Sequence, residues 1–438
     1  MRISVIGCGY LGAVHAASMA SIGHEVVGID VDATKVDLLG RGEPPFHEPG
    51  FPELLREQLA TGRLRFTTRF AEAAEADMHF IAVGTPQRAD SHAADLSYVD
   101  AAVGALAAVI RPGSVVAGKS TVPVGTAARL APVVEAAGGV LVWNPEFLRE
   151  GYAVKDTLEP DRLVYGVAPG EALEARPEVA ALDGVYAPII ARGTPRLVAD
   201  WATAELVKVS ANAFLATKIS FINAMAEIAE ATGADVTTLA DAIGMDARIG
   251  RRFLNAGVGF GGGCLPKDIR AFTARAEELG VGSSVAFLRE VDAINLRRRD
   301  RVVELVLDAL GERRHEGRVA VLGLAFKPHS DDVRDSPALD VAMRLNGLGV
   351  RVVATDPAGI ETARARHPQL RYVPSAAEAL RAADVVVLVT EWPEYRELDP
   401  AAALALAGAN PVVVDGRNVL DPAAWRSAGW IYRGMGRP

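Results

Sequence analysis

The chain opens with a short apolar strand pattern that runs directly into a glycine-rich turn. Residues 2–6 read RISVI, and three glycines follow with the spacing G-x-G-x-x-G: Gly7, Gly9 and Gly12. The next apolar run, residues 25–29, ends in Asp30, 18 residues after the last of these glycines. In a βαβ unit, such glycines form a tight turn and let a helix N-terminus face the pyrophosphate of a dinucleotide. The sequence therefore predicts a Rossmann-like domain with a dinucleotide site.

The aspartate at the end of the second strand also indicates which dinucleotide binds. The Asp30 carboxylate can accept hydrogen bonds from the adenosine ribose hydroxyls, and its charge repels the 2′-phosphate that distinguishes NADP. We therefore expect NAD as the cofactor. Lys35 lies near enough in sequence to flank the adenosine end, and Cys8 is expected to be only a variable position of the fingerprint.

The alternation of strand and helix patterns occurs twice along the chain. In the first part, helix-length segments separate further predicted strands at residues 78–83, 114–119 and 140–143. The third part has apolar runs at residues 318–323, 350–355, 384–390 and 411–415. Strands separated by helices form parallel sheets, so we expect an α/β protein with two Rossmann-like, doubly wound domains. The second has GLAFKP in place of the glycine fingerprint, so it is expected to bind something other than the dinucleotide's pyrophosphate.

A long stretch without glycine or proline separates these two parts. Residues 200–230 are predicted to form one helix of about 30 residues, or ~45 Å at 1.5 Å per residue. A helix of this length often crosses between domains or builds a subunit interface. We expect three domains: an N-terminal Rossmann domain over residues 1–198, a helical middle domain over 199–298 and a C-terminal Rossmann-like domain over 299–438.

The composition excludes several classes of function. The 438 residues include 46 Lys plus Arg and 55 Asp plus Glu, so no basic excess exists to bind nucleic acid. The only cysteines, Cys8 and Cys264, exclude a disulfide framework; we expect no metal site and a reducing, cytoplasmic location. No apolar stretch approaches the ~20 residues of a membrane span, and neither a membrane segment nor a signal peptide is expected. The densest charge run, RRRDR at 297–301, is expected to be a solvated or salt-bridged helix face.

Cys264 lies in a glycine-rich segment and is the leading candidate for a nucleophile. Residues 257–268 read GVGFGGGCLPKD, with five glycines before the cysteine. Glycines let the backbone approach a ligand and supply N–H donors to an oxyanion, and the neighbouring Lys267 favours the nucleophilic thiolate. A dinucleotide site together with this cysteine predicts oxidation of an aldehyde that is held first as a thiohemiacetal and then as a thioester.

Three further segments place polar side chains where a ligand is expected. Lys208 and Asn212 are four residues apart on the predicted long helix and share a face. Glu146 follows the strand predicted at residues 140–143, at the edge where doubly wound sheets bind ligands, and is a candidate acid or base. Thr121 follows another predicted strand end in the same way.

Taken together, these segments resemble one family. Across essentially the whole chain, motifs occur in the order seen in the UDP-glucose/GDP-mannose dehydrogenases: GCGYLG, FHEPG, VGTP, KSTVPVGT, NPEFLREG, AELVKVSANAFLATKISFIN, GFGGGCLPKD, GLAFKP, DDVRDSPA, TEW and DGRNVL. The resemblance implies a four-electron oxidation of a sugar C6 alcohol to a carboxylate, with two NAD reduced per sugar. It implies UDP-glucose as the substrate and UDP-glucuronate as the product.

The resemblance also implies roles for the catalytic candidates. Cys264 would form the thiohemiacetal and the thioester, and Asn212 would position the reacting sugar. Asp268, with Lys208, would activate water or transfer protons, and Lys208 would also stabilise the developing oxyanion. Glu146 would assist thioester hydrolysis, with Thr121 holding the water. The motifs leave open which group is the base of the first oxidation.

Further residues are implied on the cofactor side and on the substrate side. Those on the cofactor side are Gly7, Gly9, Tyr10, Leu11, Gly12, Asp30, Lys35, Thr85, Pro86, Ser120, Thr121, Glu150, Lys267 and Arg334. Those on the substrate side are Phe147, Leu148, Arg149, Glu150, Lys208, Asn212, Phe253, Asn255, Gly259, Phe260, Gly261, Lys327 and Arg417. Two of the latter, Lys327 and Arg417, suit a diphosphate because they are cationic.

The resemblance implies an assembly as well. Members of the family are commonly homodimers built on the long central helix, and a higher oligomer is also compatible with the resemblance. An arginine reaches across to the partner's substrate, and three arginines lie in the matching stretch of this chain: Arg248, Arg251 and Arg252.

Other interpretations stay open on the sequence alone. The same chemistry on dTDP-glucose, GDP-mannose or UDP-N-acetylmannosamine is an alternative, because one methyl group in a pocket is worth only ~1–3 kcal/mol. A two-electron β-hydroxyacid dehydrogenase also combines a Rossmann domain with a Lys-x-x-x-Asn helix, but it needs neither Cys264 nor a third domain. A catalytically silent NAD-binding protein has no support, since every candidate catalytic group is present.

Overall fold

The computed structural model describes every residue from Met1 to Pro438, and the chain divides into two units. The first unit comprises Met1–Ala211 and Ala274–Gly280, and the second comprises Asn212–Thr273 and Val281–Pro438. Each unit contains a sheet with helices around it. The predicted α/β class with two Rossmann-like sheets is confirmed.

An eight-stranded sheet forms the centre of the first unit. Strands β1 to β8 span Arg2–Ile6, Glu25–Ile29, Leu64–Thr67, Met78–Ile81, Val115–Gly118, Val140–Trp143, Leu163–Val167 and Arg196–Asp200. Their order in the sheet is β3-β2-β1-β4-β5-β6-β7-β8, and only β7 runs antiparallel to a neighbour, β6. The order of the first six strands is that of a doubly wound dinucleotide fold, which places a crevice at the carboxyl ends of β1 and β4.

Seven helices connect these strands. Helices α1 to α7 span Tyr10–Ser21, Ala33–Gly40, Phe51–Ala60, Ser97–Ala107, Thr126–Ala136, Ala153–Leu158 and Pro177–Ile190, and 3₁₀ turns lie at Phe70–Glu75 and Leu173–Ala175. Both faces of the sheet are covered: Ile3 and Val5 of β1 belong to one buried apolar cluster, and Ile6 belongs to another. Burial on both faces explains why the strands read as nearly continuous apolar runs.

The predicted long helix is confirmed as α8, Trp201–Thr232, which begins in the first unit and ends in the second. It is followed by α9 (Val236–Gly244), α10 (Leu265–Glu278) and α11 (Phe287–Leu310), with 3₁₀ turns at Gly282–Val285 and Gly311–Arg313. No helix of the structure combines the length and the apolar character that a membrane crossing requires.

A six-stranded parallel sheet forms the centre of the second unit. Strands β9 to β14 span Arg318–Leu322, Arg351–Thr355, Arg371–Tyr372, Val385–Leu388, Val412–Asp415 and Ile431–Gly434. Their order is β11-β10-β9-β12-β13-β14. Helices α12 to α17 span Pro337–Gly347, Ile360–Arg366, Ala376–Leu380, Pro393–Arg396, Pro400–Leu406 and Pro422–Ser427. The second sheet therefore repeats the doubly wound strand order of the first.

Two predicted strands end two residues earlier in the structure than in the sequence pattern. The strands expected at residues 78–83 and 384–390 stop at Ile81 and Leu388. Beyond the end of β4, a side chain binds the backbone: the Ser120 hydroxyl donates to the Val83 carbonyl at 2.7 Å. An apolar run thus continues past the strand where its last residues line the carboxyl edge of the sheet.

The charge run at 297–301 forms a salt-bridged face of α11. Its central arginines are buried rather than solvated: Arg298 pairs with Glu230 at 3.1 Å, and Arg299 pairs with Asp335 at 2.8 Å. Partners from other segments explain how two guanidinium groups are tolerated inside the second unit.

Candidate active site

The three fingerprint glycines of the first unit differ in what surrounds them. Gly7 has a φ of +89°, and a β-carbon there would lie 2.7 Å from Val83. A β-carbon on Gly12 would collide with the Gly7 carbonyl oxygen, whereas one on Gly9 would meet nothing within 4 Å. Helix α1 begins directly after Gly9. The loop is therefore closely packed except where a pyrophosphate approaches the helix N-terminus, and it fits a dinucleotide.

The Asp30 carboxylate is held at the end of β2 by three donors. The Cys8 amide and the Lys35 ammonium donate to Oδ2 at 2.7 and 2.9 Å, and the Asp32 amide donates to Oδ1 at 3.0 Å. A carboxylate accepts up to about four hydrogen bonds, so capacity remains for a ribose hydroxyl. Lys35 thus lies directly beside Asp30. Burial, with the Asp30 charge, raises the pKa of the Cys8 thiol, which makes Cys8 a poor nucleophile.

The loops after β4 and β5 are tied together at the same edge of the sheet. The Thr85 hydroxyl donates to the Thr121 carbonyl at 2.8 Å, so the VGTP and KSTVP segments are adjacent. Thr85 and Ser120 are buried and Thr121 is half-buried. This bond, and the one from Ser120 to Val83, hold the loops that carry Pro86 and Thr121 in fixed positions.

Glu146 and Lys208 form an ion pair in the first unit. Lys208 Nζ lies 3.1 Å from Glu146 Oε1, and the Leu148 amide donates to Glu146 Oε2 at 2.7 Å. The side chain of Lys208 is only 8% exposed, and that of Glu146 is 14% exposed. The Phe147 ring lies beside the pair, 5.5 Å from Lys208 Nζ and 3.9 Å from the guanidinium of Arg162. The structure thus brings together three residues that sequence reasoning placed on two different segments.

The sequence analysis did not recognise Lys119, a buried lysine that supports the segment carrying Glu146. Lys119 Nζ donates to Asn144 Oδ1 at 3.0 Å and to the Tyr186 hydroxyl oxygen at 3.2 Å, and that hydroxyl donates to Asn144 Oδ1 at 2.7 Å. Burial lowers the pKa of Lys119 to about 8. The network fixes Asn144, the first residue of NPEFLREG, and so supports the segment that carries Glu146. Its partners are 25 and 67 residues away from Lys119, so no local pattern could have shown it.

The remaining residues of NPEFLREG have different environments. Arg149 is exposed and forms a two-pronged ion pair with Asp156, at 2.8 and 2.7 Å. Leu148 is partly buried against the apolar core of the first unit. Glu150 is half-buried. The Arg149 guanidinium is therefore held by the Asp156 carboxylate.

Cys264 is exposed and directly precedes α10 in the second unit. A helix N-terminus favours negative charge, and a cysteine there favours the thiolate. Four residues later, the buried Asp268 accepts hydrogen bonds from Asn212 Nδ2 at 2.7 Å and from Lys267 Nζ at 2.5 Å. The Asp268 amide donates to the Cys264 carbonyl at 2.9 Å. The structure thus brings the side chains of Asp268, Asn212 and Lys267 together, one helical turn after Cys264.

The glycines before Cys264 have a packing reason that the sequence did not show. A β-carbon on Gly261 would collide with the Asp335 carbonyl oxygen, and one on Gly263 would collide with the Arg334 guanidinium. On Gly262, whose φ is +85°, it would lie 2.7 Å from the Phe326 ring. Protein groups therefore occupy the space beside the α-carbons of these glycines.

Arg417 and Lys327 lie close to this glycine segment. Arg417 donates to the carbonyls of Gly259 and Phe326 at 2.9 and 3.1 Å, and it pairs with Glu391 at 3.1 Å. The Lys327 ammonium lies 5.0 Å from the centre of the Phe326 ring. Arg417 therefore ties the segment before Cys264 to the GLAFKP loop, a structural role that the sequence did not indicate.

Three further residues expected at the cofactor or the substrate lie in the second unit: Arg334, Phe253 and Asn255. Arg334 packs on Gly263 and pairs with Asp332 at 2.7 Å. Phe253 is 37% exposed with a φ of +66°. Asn255 Oδ1 accepts a hydrogen bond from Arg251 at 2.7 Å.

Three arginines were considered for the partner's substrate. Two of them, Arg248 and Arg251, form ion pairs within the chain, and Arg248 is the more exposed of these two. It bonds to Asp246, and its side chain is 89% exposed. Arg251 pairs with Asp241 at 2.5 Å, and Arg252 is exposed.

The aspartate that ends β10 shows why the second sheet differs from the first. Asp356 Oδ2 accepts hydrogen bonds from the Leu324 and Ala325 amides at 2.7 and 3.0 Å, and from Trp392 Nε1 at 3.1 Å. Its Oδ1 accepts from the Ala358 and Gly359 amides. Asp356 is 2% exposed. Its carboxylate is therefore fully used inside the protein, unlike that of Asp30.

Comparison with protein families gives three matches in chain order. Residues 1–190 match the NAD binding domain of the UDP-glucose/GDP-mannose dehydrogenase family, residues 202–297 its central domain, and residues 320–422 its UDP binding domain. The first match agrees with the dinucleotide loop described above, and it assigns NAD as the cofactor.

Individual relatives match over their full lengths. A UDP-glucose 6-dehydrogenase of Rhizobium meliloti is 41% identical, covering 100% of both chains, and one of Pseudomonas aeruginosa is 42% identical, covering 100% of this chain and 98% of that protein. The solved UDP-glucose dehydrogenase of Pyrobaculum islandicum has a TM-score of 0.88 at 40% identity, covering 100% of this chain and 98% of the other. The chain therefore belongs to the UDP-glucose/GDP-mannose dehydrogenase family.

Proposed function

We propose that this chain oxidises the C6 alcohol of UDP-glucose to the carboxylate of UDP-glucuronate, with two NAD reduced per sugar. The observation that carries the proposal is Cys264, exposed at the start of α10 and four residues before Asp268, which is hydrogen-bonded to Asn212. A single alcohol oxidation needs no nucleophile, whereas a double oxidation needs a group that holds the aldehyde. The relatives from Rhizobium meliloti and Pseudomonas aeruginosa, both UDP-glucose 6-dehydrogenases, support UDP-glucose over the other nucleotide sugars.

The first oxidation takes place on a substrate held by its nucleotide and sugar ends. The Gly7–Gly12 loop and Asp30 would hold NAD, which would supply the hydride acceptor for each oxidation at C6. Lys327 and Arg417 provide positive charge for the diphosphate, and Phe147 to Glu150 line the sugar side. The C6 hydroxyl loses its proton as the hydride leaves, and the product is an aldehyde.

Cys264 then makes the intermediate covalent. Its thiolate adds to the aldehyde carbon, a C–S bond forms, and the carbonyl electron pair moves to oxygen and takes up a proton. Asn212 holds this oxygen and Lys208 stabilises its negative charge; the two lie one turn apart on α8. Loss of a second hydride and of the hydroxyl proton converts the thiohemiacetal into a thioester.

Hydrolysis completes the reaction. Thr121 holds a water, Glu146 takes a proton from it, and the oxygen adds to the thioester carbon. The C–S bond breaks, the carboxylate forms, and the Cys264 thiolate is regenerated. Asp268, paired with Lys267, serves the proton transfers around the sulfur. In total, one water is consumed and two hydrides leave the sugar.

The experiment that tests this function is the NADH yield at limiting sugar with excess NAD. UDP-glucose, dTDP-glucose, GDP-mannose and UDP-N-acetylmannosamine are compared in parallel. We expect two NADH per UDP-glucose and the highest kcat/KM for that substrate. One NADH per sugar would contradict the double oxidation, and a higher kcat/KM for another sugar nucleotide would contradict the substrate.

We further propose that the chain is a homodimer built on α8. Three large apolar side chains are exposed on this helix at intervals of seven residues: Phe214, Phe221 and Ile228, at 67%, 47% and 55%. A spacing of seven places them along one face, as in helices that pair with a partner. Because the nucleophile is a thiol, we place the enzyme in a reducing compartment, the cytoplasm.

A further inference from the structure

The FHEPG motif at residues 46–50 has no part in the reaction proposed above, yet its glutamate is almost completely buried. Glu48 is 2% exposed. The motif forms a turn before α3, in which Gly50 has a φ of +76° and the Phe46 ring stacks on Phe51 at a centroid distance of 5.3 Å. Burying a carboxylate is unfavourable unless hydrogen bonds compensate it, so the partners of Glu48 indicate its role.

Those partners come from the dinucleotide loop and from the end of NPEFLREG. Glu48 Oε2 accepts hydrogen bonds from the Tyr10 hydroxyl and from the Gly151 amide, the latter at 2.6 Å, and Oε1 accepts from the Ala153 amide at 2.7 Å. The Gly151 amide also lies 2.8 Å from the Tyr10 hydroxyl oxygen. Burial, with the Glu48 hydrogen bond, raises the pKa of Tyr10, so its hydroxyl stays protonated and donates.

Both ends of this connection adjoin ligand-binding segments. Tyr10 is the residue after Gly9, where the pyrophosphate approaches, and it is the first residue of α1. Gly151, with a φ of +77°, ends the segment that contains Glu146 to Glu150. An ordered Tyr10 side chain therefore fixes, through one carboxylate, the backbone at which the substrate segment ends.

We infer that Glu48 is a positioning residue that couples the binding of NAD to the binding of the nucleotide sugar. NAD at the Gly9 loop orders Tyr10, and Glu48 passes this order to the amides of Gly151 and Ala153. The substrate segment is then preorganised before the sugar binds. The identity of the sugar nucleotide rests on the function proposed above; the connection from Tyr10 to Gly151 does not.

The first test measures the dissociation constant of UDP-glucose by calorimetry, with and without a saturating unreactive NAD analogue. We expect the analogue to tighten sugar binding about fivefold in the wild-type protein, a typical coupling between two sites. In Glu48→Gln we expect the analogue to change the dissociation constant of the sugar by less than about twofold. The dissociation constant of each ligand alone should change less than about threefold relative to the wild type. Tyr10→Phe, which leaves Glu48 its two backbone donors, loses the coupling too. Tyr98→Phe, at an exposed tyrosine, keeps it.

Weaker binary binding with an unchanged coupling factor in both variants would show a merely structural role and overturn the inference. An NAD analogue that does not change sugar binding in the wild type would overturn the inference as well.

The second test needs no sugar: NAD alone is added, and hydrogen exchange of the Gly151 and Ala153 amides is followed. We expect NAD to slow this exchange in the wild type but not in Tyr10→Phe, and equal slowing in both would overturn the inference. If UDP-glucose does not bind at all, the proposed function fails, and the exchange result decides the inference by itself.

Discussion

The side-chain amide of Asn212 donates a 2.7 Å hydrogen bond to the Asp268 carboxylate, which lies four residues after the exposed Cys264. Asp268 is 4% exposed and also accepts a hydrogen bond from Lys267. Both carboxylate oxygens are thus oriented by donors. Under the proposed function, this pair would combine an amide that positions the sugar with a fixed acid–base group.

Asp268→Asn keeps the shape of this side chain but removes the proton acceptor. We expect kcat with UDP-glucose to fall at least about 100-fold, because general acid–base catalysis typically contributes that much. The KM for the sugar should change less than about threefold. Steady-state kinetics measure both, with Asp308→Asn, at an exposed position on α11, as the control. Near-normal kcat in Asp268→Asn would remove this residue from the reaction.

We expect the cofactor preference to depend on Asp30 and on Lys35, which is paired with it. In Asp30→Asn the charge that repels a 2′-phosphate is lost, and Lys35, now 2.9 Å from a neutral group, becomes a cation for that phosphate. We expect the ratio of kcat/KM with NADP to that with NAD to rise about tenfold or more, since one charge contact at 4 Å is worth roughly 1–4 kcal/mol. Asp37→Asn, at an exposed carboxylate on α2, should leave the ratio unchanged. An unchanged ratio in Asp30→Asn would exclude Asp30 from the ribose site.

A buried histidine makes the stability of the first unit depend on pH. His79 on β4 lies 2.7 Å from the Ser4 hydroxyl of β1, and burial lowers its pKa to about 4. Between pH 6.5 and 4 the unfolded chain binds a proton that the folded chain does not, so stability falls as the pH falls through this range. The loss attributable to His79 is about 3 kcal/mol.

His79→Asn removes this titration. The variant should be less stable than the wild type at pH 7 but should lose less stability on acidification from pH 6.5 to 4. Denaturant midpoints across this range measure the difference, and His92→Asn, at an exposed histidine, is the control. Parallel pH profiles for wild type and His79→Asn would show that His79 is not the group responsible.

The proposed dimer depends on the exposed aromatic face of α8. In Phe214→Asp with Phe221→Asp, two charges replace apolar side chains that a partner would bury, and an unpaired buried charge is strongly unfavourable. Light scattering should show a dimer for the wild type and a monomer for the double variant at the same concentration. Leu348→Asp, at another exposed apolar side chain, should leave the mass unchanged. A wild-type monomer, or an intact dimer in the double variant, would contradict the assembly.

Local patterns were sufficient to predict the elements that frame the site. Helix α1 begins at Tyr10, directly after the predicted glycine turn, and ends at Ser21, shortly before Gly23. Strand β2 ends at Ile29 as predicted, since Asp30 binds the backbone of the neighbouring loop. Patterns of this kind involve residues that are close together in the chain, so they can be recognised from a single sequence.

Contacts between distant segments were not predictable in the same way. Glu48 meets Gly151 across 103 residues, and nothing near either residue shows the connection. Glu205 on α8 is similar: it accepts hydrogen bonds from the Gly125 and Ala127 amides at the start of α5, although burial raises its pKa to about 6. The packing around the glycines before Cys264 was not predictable either, because Phe326 and Arg334, which lie beside Gly262 and Gly263, are about 60–70 residues away in sequence.

The most direct test of the account is to look for the sugar on Cys264. Glu146→Gln is mixed with UDP-glucose and NAD, quenched in acid within one turnover, digested and analysed by mass spectrometry, because slowed hydrolysis lets the acyl-enzyme accumulate. The account predicts that the Cys264 peptide gains the mass of the UDP-glucuronyl group, and that Cys264→Ser binds UDP-glucose but yields at most one NADH per sugar. An unmodified Cys264 peptide at every time point, together with two NADH per sugar in Cys264→Ser, would contradict it.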